Sequence, residues 1–147
     1  MSLASRHFLL DVNALIALGD PDHEDHGAVQ RWFQAGGGED WGVCPLTEAG
    51  FVRITTHPSY PRAVSMAQAR AVLAGFAAHE GYRYWAISAS WAALTARFSA
   101  RLFGHQQVTD AYLLGLAVKE QGVLVTFDKG VGYLAGAEFA GHLLVLE

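Results

Sequence analysis

The sequence of 147 residues has one cysteine and no long uninterrupted run of apolar residues. A single thiol excludes an internal disulfide, so we expect Cys44 to be a small buried residue. The best early candidate for a membrane span, residues 8–18, is interrupted by Asp11 and Asn13, and no run reaches the about 18 residues that a span needs. The segment after Arg6 also lacks the unbroken apolar core of a secretory signal. We therefore expect a cytoplasmic protein that uses no membrane partner.

Charged residues are also few, at 16% of the chain, and basic residues are the minority among them. The chain has 14 Asp and Glu against 10 Lys and Arg, which gives a formal net charge of -4. Because the surface as a whole is acidic, it does not attract nucleic acid by itself, and a nucleic-acid function needs metal cations or a partner subunit. The apolar content of 52% excludes disorder, and the length fits one domain covering residues 1–147.

Short apolar segments alternate along the chain with amphipathic segments of helical period. The apolar segments predict strands at 7–10, 41–44, 82–87, 123–127 and 143–146. The segments between them predict helices at 14–18, 24–35, 47–56 with Thr47 as N-cap, 65–79, 90–102 and 108–121. Because strands separated by helices are joined by right-handed crossovers, the prediction is an α/β fold with a mostly parallel central sheet of four or five strands.

Four of the acids lie where a solvated surface does not explain them. Asp11 and Asp128 directly follow predicted strands, and Glu48 and Asp110 precede apolar residues at a spacing of three and four, on the apolar side of their helices. Each acid alone has an ordinary explanation as a helix cap, a first-turn acid or a turn residue. Together they converge on the carboxyl edge of the predicted sheet, where open α/β sheets bind ligands.

Four carboxylates at one edge raise one another's pKa, and burial penalises their charged forms further, so a cation is needed. Oxygen ligands without Cys or His suit a hard divalent ion, Mg²⁺ or Mn²⁺. We interpret Asp11, Glu48 and Asp110 as metal ligands, directly or through water, with Asp128 completing the site or orienting the attacking water. Such a site hydrolyses phosphodiesters with one ion or with two about 4 Å apart, and the number stays open.

Four motifs carry a family resemblance over nearly the whole chain, and they are Leu-Leu-Asp11-Val-Asn13-Ala-Leu-Ile-Ala-Leu, Cys-Pro-Leu-Thr-Glu48, Val-Thr109-Asp110-Ala-Tyr-Leu-Leu-Gly-Leu-Ala and Thr126-Phe-Asp128-Lys-Gly. In this order they resemble the PIN-domain nucleases, specifically the VapC-like ribonuclease toxins of type II toxin-antitoxin systems. The resemblance implies a three-layer α/β/α fold and Mg²⁺- or Mn²⁺-dependent endoribonuclease activity. It also implies a homodimer and inhibition by a small VapB-like antitoxin.

The resemblance assigns roles to particular residues of this chain. The acids that match the family's acidic quartet are Asp11, Glu48, Asp110 and Asp128. Supporting polar roles fall to Asn13, Thr109 and Thr126. Some relatives carry a further acid on the helix after the third aspartate, where this chain has Leu113 and Leu114, so the second metal position stays open.

The substrate implied by the resemblance is RNA, in some members a structured RNA such as tRNA. The basic residues are dispersed, and Arg53 and Lys129 are the ones we expect nearest the acidic groove. Trp85 and Trp91 are expected in the core and not in base stacking. Two alternatives remain open, namely a phosphatase or DNA nuclease that uses the same carboxylates, and a binding or regulatory protein with a degenerate site.

Overall fold

The computed structural model describes residues 6–147, and the first five residues of the predicted domain lie outside that range. Within it the strands are β1 (Phe8–Leu10), β2 (Trp41–Gly42), β3 (Val123–Thr126) and β4 (Leu143–Val145). The α-helices are α1 (Val12–Gly19), α2 (His26–Gln34), α3 (Pro45–Thr55), α4 (Met66–Ala77), α5 (Trp91–Thr95), α6 (Val108–Lys119) and α7 (Val131–Ala135). Short 3-10 turns occur at Gly37–Glu39, Ala96–Arg101, His105–Gln107 and Ala140–His142.

The strands form one parallel sheet in the order β2-β1-β3-β4. Leu9 pairs with Leu124 at its centre, and Val125 pairs with Leu144 towards the β4 edge. The two central strands, β1 and β3, are buried along their whole length, as parallel strands covered on both faces must be. The predicted parallel sheet is therefore confirmed, with four strands.

Successive residues of the central strands point into two separate hydrophobic clusters, because side chains alternate between the faces of a strand. Leu9 and Leu124 pack with apolar residues of α5, α6 and α7. Phe8, Leu10 and Val125 pack with apolar residues of α1, α2, α3 and α4. Helices cover both faces of the sheet, which confirms the predicted three-layer α/β/α architecture.

The predicted strand at 82–87 is wrong. Tyr82 makes one isolated bridge to Trp41, and the chain then follows β2 as an extended segment, with the Arg83 N–H donating to the Trp41 carbonyl at 2.8 Å. The next bond of this kind runs from the Trp85 N–H to the Val43 carbonyl at 2.9 Å. The segment lies at the sheet edge, where it has a partner on one side only, and the alternation of the sequence does not reveal how short that pairing is.

Several helix boundaries also differ from the prediction. Helix α3 begins at Pro45 with Cys44 as N-cap, because proline is pre-organised for the first helical position. The Thr47 hydroxyl accepts a bond from the Cys44 N–H at 2.9 Å from inside the first turn, so Thr47 is not the cap. The predicted helix at 90–102 ends as an α-helix at Thr95 and continues as a 3-10 turn. Helix α7 was not expected from the sequence.

Three further predictions concern the burial of single side chains, and a last observation concerns membrane-spanning helices. Cys44 and Trp85 are buried, as expected. Trp91 is 37% exposed, so its assignment to the core is wrong; its indole N–H donates to the Val108 carbonyl at 3.0 Å at the surface. No helix between residues 6 and 147 has the length and apolar character required to cross a bilayer.

Candidate active site

Asp11 lies at the turn that joins buried strand β1 to helix α1. Its backbone N–H continues the sheet pairing by donating to the Val125 carbonyl at 3.0 Å. Its carboxylate caps α1, since Oδ1 accepts a bond from the Ala14 N–H at 2.8 Å. The residue is only 6% exposed. The ordinary explanation as a helix cap is therefore correct, and it places a buried carboxylate at the carboxyl end of a central strand.

Thr126 connects Asp11 to Asp128. Its fully buried hydroxyl donates a hydrogen bond to Asp11 Oδ2 and accepts one from the Asp128 N–H at 3.0 Å. Asp128 is exposed, and its Oδ1 accepts a bond from the Gly130 N–H at 2.8 Å, which is a turn interaction. One buried hydroxyl at the end of β3 thus fixes the acid after β1 and the backbone of the acid after β3.

Asp110 completes a cluster of three acids. It is the third residue of α6 and is partly buried. Burial and then the negative charges of Asp128 and Asp11 raise the pKa of Asp110 from 3.8 to about 6. Burial likewise raises the pKa of Asp11, although hydrogen bonds from Thr126 and the Ala14 N–H oppose the rise, and the Asp128 charge adds to it. The carboxylates that follow β1 and β3 therefore act electrostatically on the one carried by α6.

Electrostatic interaction between carboxylates extends over longer distances than coordination of one metal ion does. Among residues 6–147, no group of three or more His, Cys, Asp or Glu side chains is already arranged to hold a metal ion. Within the cluster, the negative charges of Asp128 and Asp11 raise the pKa of Asp110, and a hydrogen bond between the Asp110 and Asp128 side chains adds to the rise. Their chemistry nevertheless fits a hard cation, because the cluster offers only oxygen ligands and carries negative charge that no Lys or Arg neutralises in the ion pairs of the described residues.

Glu48 has different neighbours. It lies in the first turn of α3 and is partly buried. Burial raises the pKa of Tyr82 to about 12, and the Glu48 charge is the next cause. Burial and the same charge raise the pKa of Tyr84, which also bonds to Glu48. The structure therefore brings Asp11, Asp110 and Asp128 together and places Glu48 against two tyrosines of the segment beside β2.

Those tyrosines were not identified from the sequence. Tyr82 and Tyr84 are two residues apart, a spacing that puts side chains on the same side of an extended chain. That alternation is the only sequence signal for them. It indicates a shared side but not that Glu48 lies opposite.

Three of the remaining predicted site residues lie within two residues of an acid in the chain, and the fourth, Arg53, lines a cleft to which none of the four acids contributes. Asn13 is exposed on α1, and its backbone N–H lowers the pKa of Asp11 by hydrogen bonding, although burial of Asp11 is the larger effect. Thr109 is exposed beside Asp110. Arg53 is exposed on α3 and lines a cleft of about 390 Å³ together with His57. Lys129 is exposed next to Asp128, with its Nζ 3.9 Å from Glu147 Oε1.

Comparison with known proteins gives a consistent result. Residues 8–136 match the family model described as the PIN domain. The chain is 46% identical over 128 residues to Ribonuclease VapC38 of Mycobacterium tuberculosis, covering 86% of this chain and 89% of that protein. It is 40% identical over 139 residues to Ribonuclease VapC39 of the same organism, covering 94% and 98%.

Solved structures show the same fold at low sequence identity. The crystal structure of Mycobacterium tuberculosis VapC20, described as a sarcin-ricin loop cleaving toxin, matches with a TM-score of 0.64 at 16% identity and covers 89% of this chain and 97% of that one. A chain of Rickettsia felis VapBC2, crystallised with a DNA fragment from its promoter, matches with a TM-score of 0.60 at 12% identity and covers 95% and 98%. With its parallel sheet, its acids at the carboxyl edge and these similarities, the chain belongs to the PIN-domain family of VapC ribonuclease toxins.

Proposed function

We propose that this protein is a metal-dependent endoribonuclease toxin that hydrolyses RNA phosphodiester bonds, in the cytoplasm, as a single PIN domain. The observation that carries the proposal is the cluster of Asp11, Asp110 and Asp128, in which burial and then the charges of the other two acids raise the pKa of Asp110 to about 6. The cap that Asp11 makes on α1 stabilises the fold, but the repulsion among the three acids does not. The arrangement makes sense when a cation joins them.

The residues that would hold the cation are Asp11, Asp110 and Asp128, with Glu48 acting directly or through water. When bound, Mg²⁺ or Mn²⁺ supplies a nucleophilic water near neutral pH and neutralises charge on the phosphate. One or two ions are compatible with this donor set.

The chain's own contribution is to hold its carboxylates in place. Thr126 donates to one oxygen of Asp11, and the Ala14 N–H occupies the other, so the orientation of this carboxylate is fixed before substrate arrives. Asp128 is exposed and held through its turn to Gly130. Its position at the mouth of the cluster suits it to orient a water molecule for in-line attack on the phosphodiester.

Family membership and charge support the proposed substrate and partners. An acidic chain of net charge -4 needs cations at the site to accept RNA, and Lys129 beside Asp128 is the basic residue best placed to contact a phosphate. Arg53 is the second candidate for RNA binding. We propose a VapB-like antitoxin as the neutralising partner, a homodimer as the active form and RNA, including tRNA, as the substrate class.

The experiment is a cleavage assay of the purified protein on RNA, single-stranded DNA and a small phosphoester, with Mn²⁺, Mg²⁺ or EDTA. We expect RNA cleavage that depends on the cation and that falls about a hundredfold or more in Asp110→Asn. Glu138→Gln is the matched control, because it also removes one carboxylate charge but lies on the exposed surface beyond α7. Cleavage of DNA or phosphoester without RNA cleavage would contradict the proposal in favour of another phosphoesterase.

The degenerate-site alternative is tested in cells. Growth arrest on expression, relieved by Asp11→Asn and by co-expression of the antitoxin, supports a toxin whose action is catalytic. Growth arrest that persists in Asp11→Asn would indicate a protein that acts by binding alone. Light scattering of the purified protein tests the homodimer.

A further inference from the structure

Two exposed aromatic side chains lie in segments that adjoin, along the chain, the residues of the acidic cluster. Phe103 is 75% exposed and Tyr133 is 56% exposed, although they come from segments 30 residues apart in the chain. Their ring centroids are 6.4 Å apart and their planes are inclined by 40°. An oblique pair with these exposures leaves ring surface open to the solvent, which is unfavourable unless something covers it.

Phe103 is held in place by the residue that precedes helix α6. The side-chain oxygen of Gln107 accepts bonds from the Phe103 N–H at 2.7 Å and the Gly104 N–H at 3.2 Å. The amide nitrogen of Gln107 donates to the Arg101 carbonyl at 3.0 Å. One amide therefore fixes the loop that carries Phe103, and Asp110 follows Gln107 by three residues, less than one helical turn.

Tyr133 lies on helix α7, five residues after Asp128. The first turn of α7 starts from Asp128, whose carbonyl accepts a bond from the Val131 N–H at 3.3 Å. The Tyr133 N–H donates to the Gly130 carbonyl at 3.1 Å in the next step of that turn. Phe103 thus belongs to the loop that leads into α6, which carries Asp110, and Tyr133 belongs to α7, which follows Asp128.

The patch suits a nucleobase better than a protein. Two aromatic side chains cover at most about 500 Å², whereas a stable protein interface needs about 800 Å² on each side. The residues beside Phe103 are polar, and with it they line an open cleft of about 300 Å³ formed by Gly104, His105, Gln106 and Gln107. Lys129 is exposed and lies four residues before Tyr133 in the chain, so it is the basic residue nearest to Tyr133 in sequence for the phosphate that accompanies a base.

We propose that Phe103 and Tyr133 form a stacking platform for one unpaired base of the RNA, adjacent to the phosphodiester that is cut. The inference rests on the proposed ribonuclease function and adds a selectivity to it. Every base has a flat face, so stacking tolerates sequence but requires a base that is not paired. The platform directs the enzyme to single-stranded loops, bulges or ends.

The test compares binding and cleavage in the full-length chain. Binding is measured with Ca²⁺ in place of Mn²⁺, under conditions where a short single-stranded oligoribonucleotide that carries 2-aminopurine is recovered uncleaved. We expect Phe103→Ala and Tyr133→Ala each to weaken binding about tenfold and to relieve the quenching of the base, while Phe103→Tyr and Tyr133→Phe bind as the wild type does. Met66→Ala is the matched control, because Met66 is equally exposed on α4 but lies outside the platform.

An abasic residue moved along the oligoribonucleotide sharpens the test. Removal of the stacked base weakens binding by the wild type but leaves the double alanine variant unchanged, because the interaction is already absent. In the Mn²⁺-dependent cleavage assay, the alanine variants raise KM more than they lower kcat.

The outcomes separate the platform from the ribonuclease function. Loss of cation-dependent cleavage in the wild type with aromatic-dependent RNA binding refutes the function and supports the platform. Normal cleavage with RNA binding that does not respond to either alanine variant overturns the platform alone. Variants that bind RNA normally but lose self-association or antitoxin binding would assign the patch to a protein partner and overturn the stacking platform. A wild type that binds no RNA overturns both the platform and the ribonuclease function.

Discussion

Helix α1 has an aspartate at each end, and the chain treats the two in opposite ways. Asp20, the C-cap, lies 2.6 Å from both the Tyr60 hydroxyl and Arg62 Nε. Burial opposes ionisation of Asp20, but the hydrogen bonds from Tyr60 and Arg62 outweigh it and lower its pKa. At the N-cap, burial raises the pKa of Asp11 despite the bond from Thr126, and the neighbouring charge of Asp128 raises it further.

The difference shows what each acid is for. Asp20 receives a cation from the chain itself, in the ion pair with Arg62, and it fastens the end of α1 to the loop after α3. Asp11 receives a hydroxyl and a backbone N–H, and its charged neighbours are acids. A fold that supplies a cation to one aspartate and carboxylates to the other leaves the second dependent on a cation from solution.

The largest expected effect comes from removing each acid in turn. Asp11→Asn should reduce the rate of RNA cleavage about a hundredfold or more, because the cation loses a ligand, while the asparagine still caps α1. Asp20→Asn should change the rate little. Initial rates at saturating Mn²⁺ measure both, and equal losses in the two variants would remove the distinction between the ends of the helix.

The next effect concerns the hydroxyl that joins two of the acids. Thr126→Val removes the donor to Asp11 and the acceptor for the Asp128 N–H in a fully buried place. We expect the free energy of unfolding to fall by about 2 kcal/mol in urea denaturation. Thr126→Ser keeps the hydroxyl, so its free energy of unfolding should fall less. If Thr126→Val has the same free energy of unfolding as the wild type, the hydroxyl does not organise the site.

A smaller effect is the dependence of stability on pH without metal. The pKa of Asp110 is raised from 3.8 to about 6, so its stabilising contribution is complete below 3.8 and is lost as the pH rises through 6. In EDTA at pH 7.5, Asp110→Asn should therefore be more stable than the wild type by about 1 kcal/mol, a value reduced because the carboxyl is partly solvated. The greater stability of Asp110→Asn should disappear at pH 4. Thermal denaturation of both proteins at the two pH values measures this difference.

The smallest effect belongs to Asp20, and its sign is reversed. Because its pKa is lowered, its contribution is present above the ordinary pKa and is lost as the pH falls through the folded value. Asp20→Asn should slightly lower the melting temperature at pH 7 and leave it unchanged at pH 2. The ion pair with Arg62 is partly exposed, so high salt should weaken it.

The parallel sheet and the positions of its acids could be predicted from the sequence because short-range patterns encode them. The apolar run of β3 identifies a buried central strand, and the polar residue that follows such a strand must lie at its carboxyl edge. This reasoning located Asp11 and Asp128. Asp11 caps a helix and Asp128 closes a turn, and each side chain also belongs to the acidic cluster. The ordinary explanation of each acid is therefore compatible with its place in the site.

Other features depend on contacts between distant segments. The pairing of Tyr82 and Tyr84 with Glu48 requires the register between the segment at 82–85 and β2. Helix α7 has five residues and includes Gly132, so its period is too short to recognise. Trp91 was assigned to the core because the helix at 90–102 was expected to be continuous, but α5 ends at Thr95 and leaves the indole at the surface.

Direct measurement of Mn²⁺ binding by the metal-free protein tests the central assignment most sharply. Titration followed by electron paramagnetic resonance should give stoichiometric binding in the wild type and in Asp20→Asn, and strongly weakened binding in Asp110→Asn. Equal Mn²⁺ affinity in all three proteins, or none in the wild type, would contradict the view that Asp11, Asp110 and Asp128 are kept for a cation.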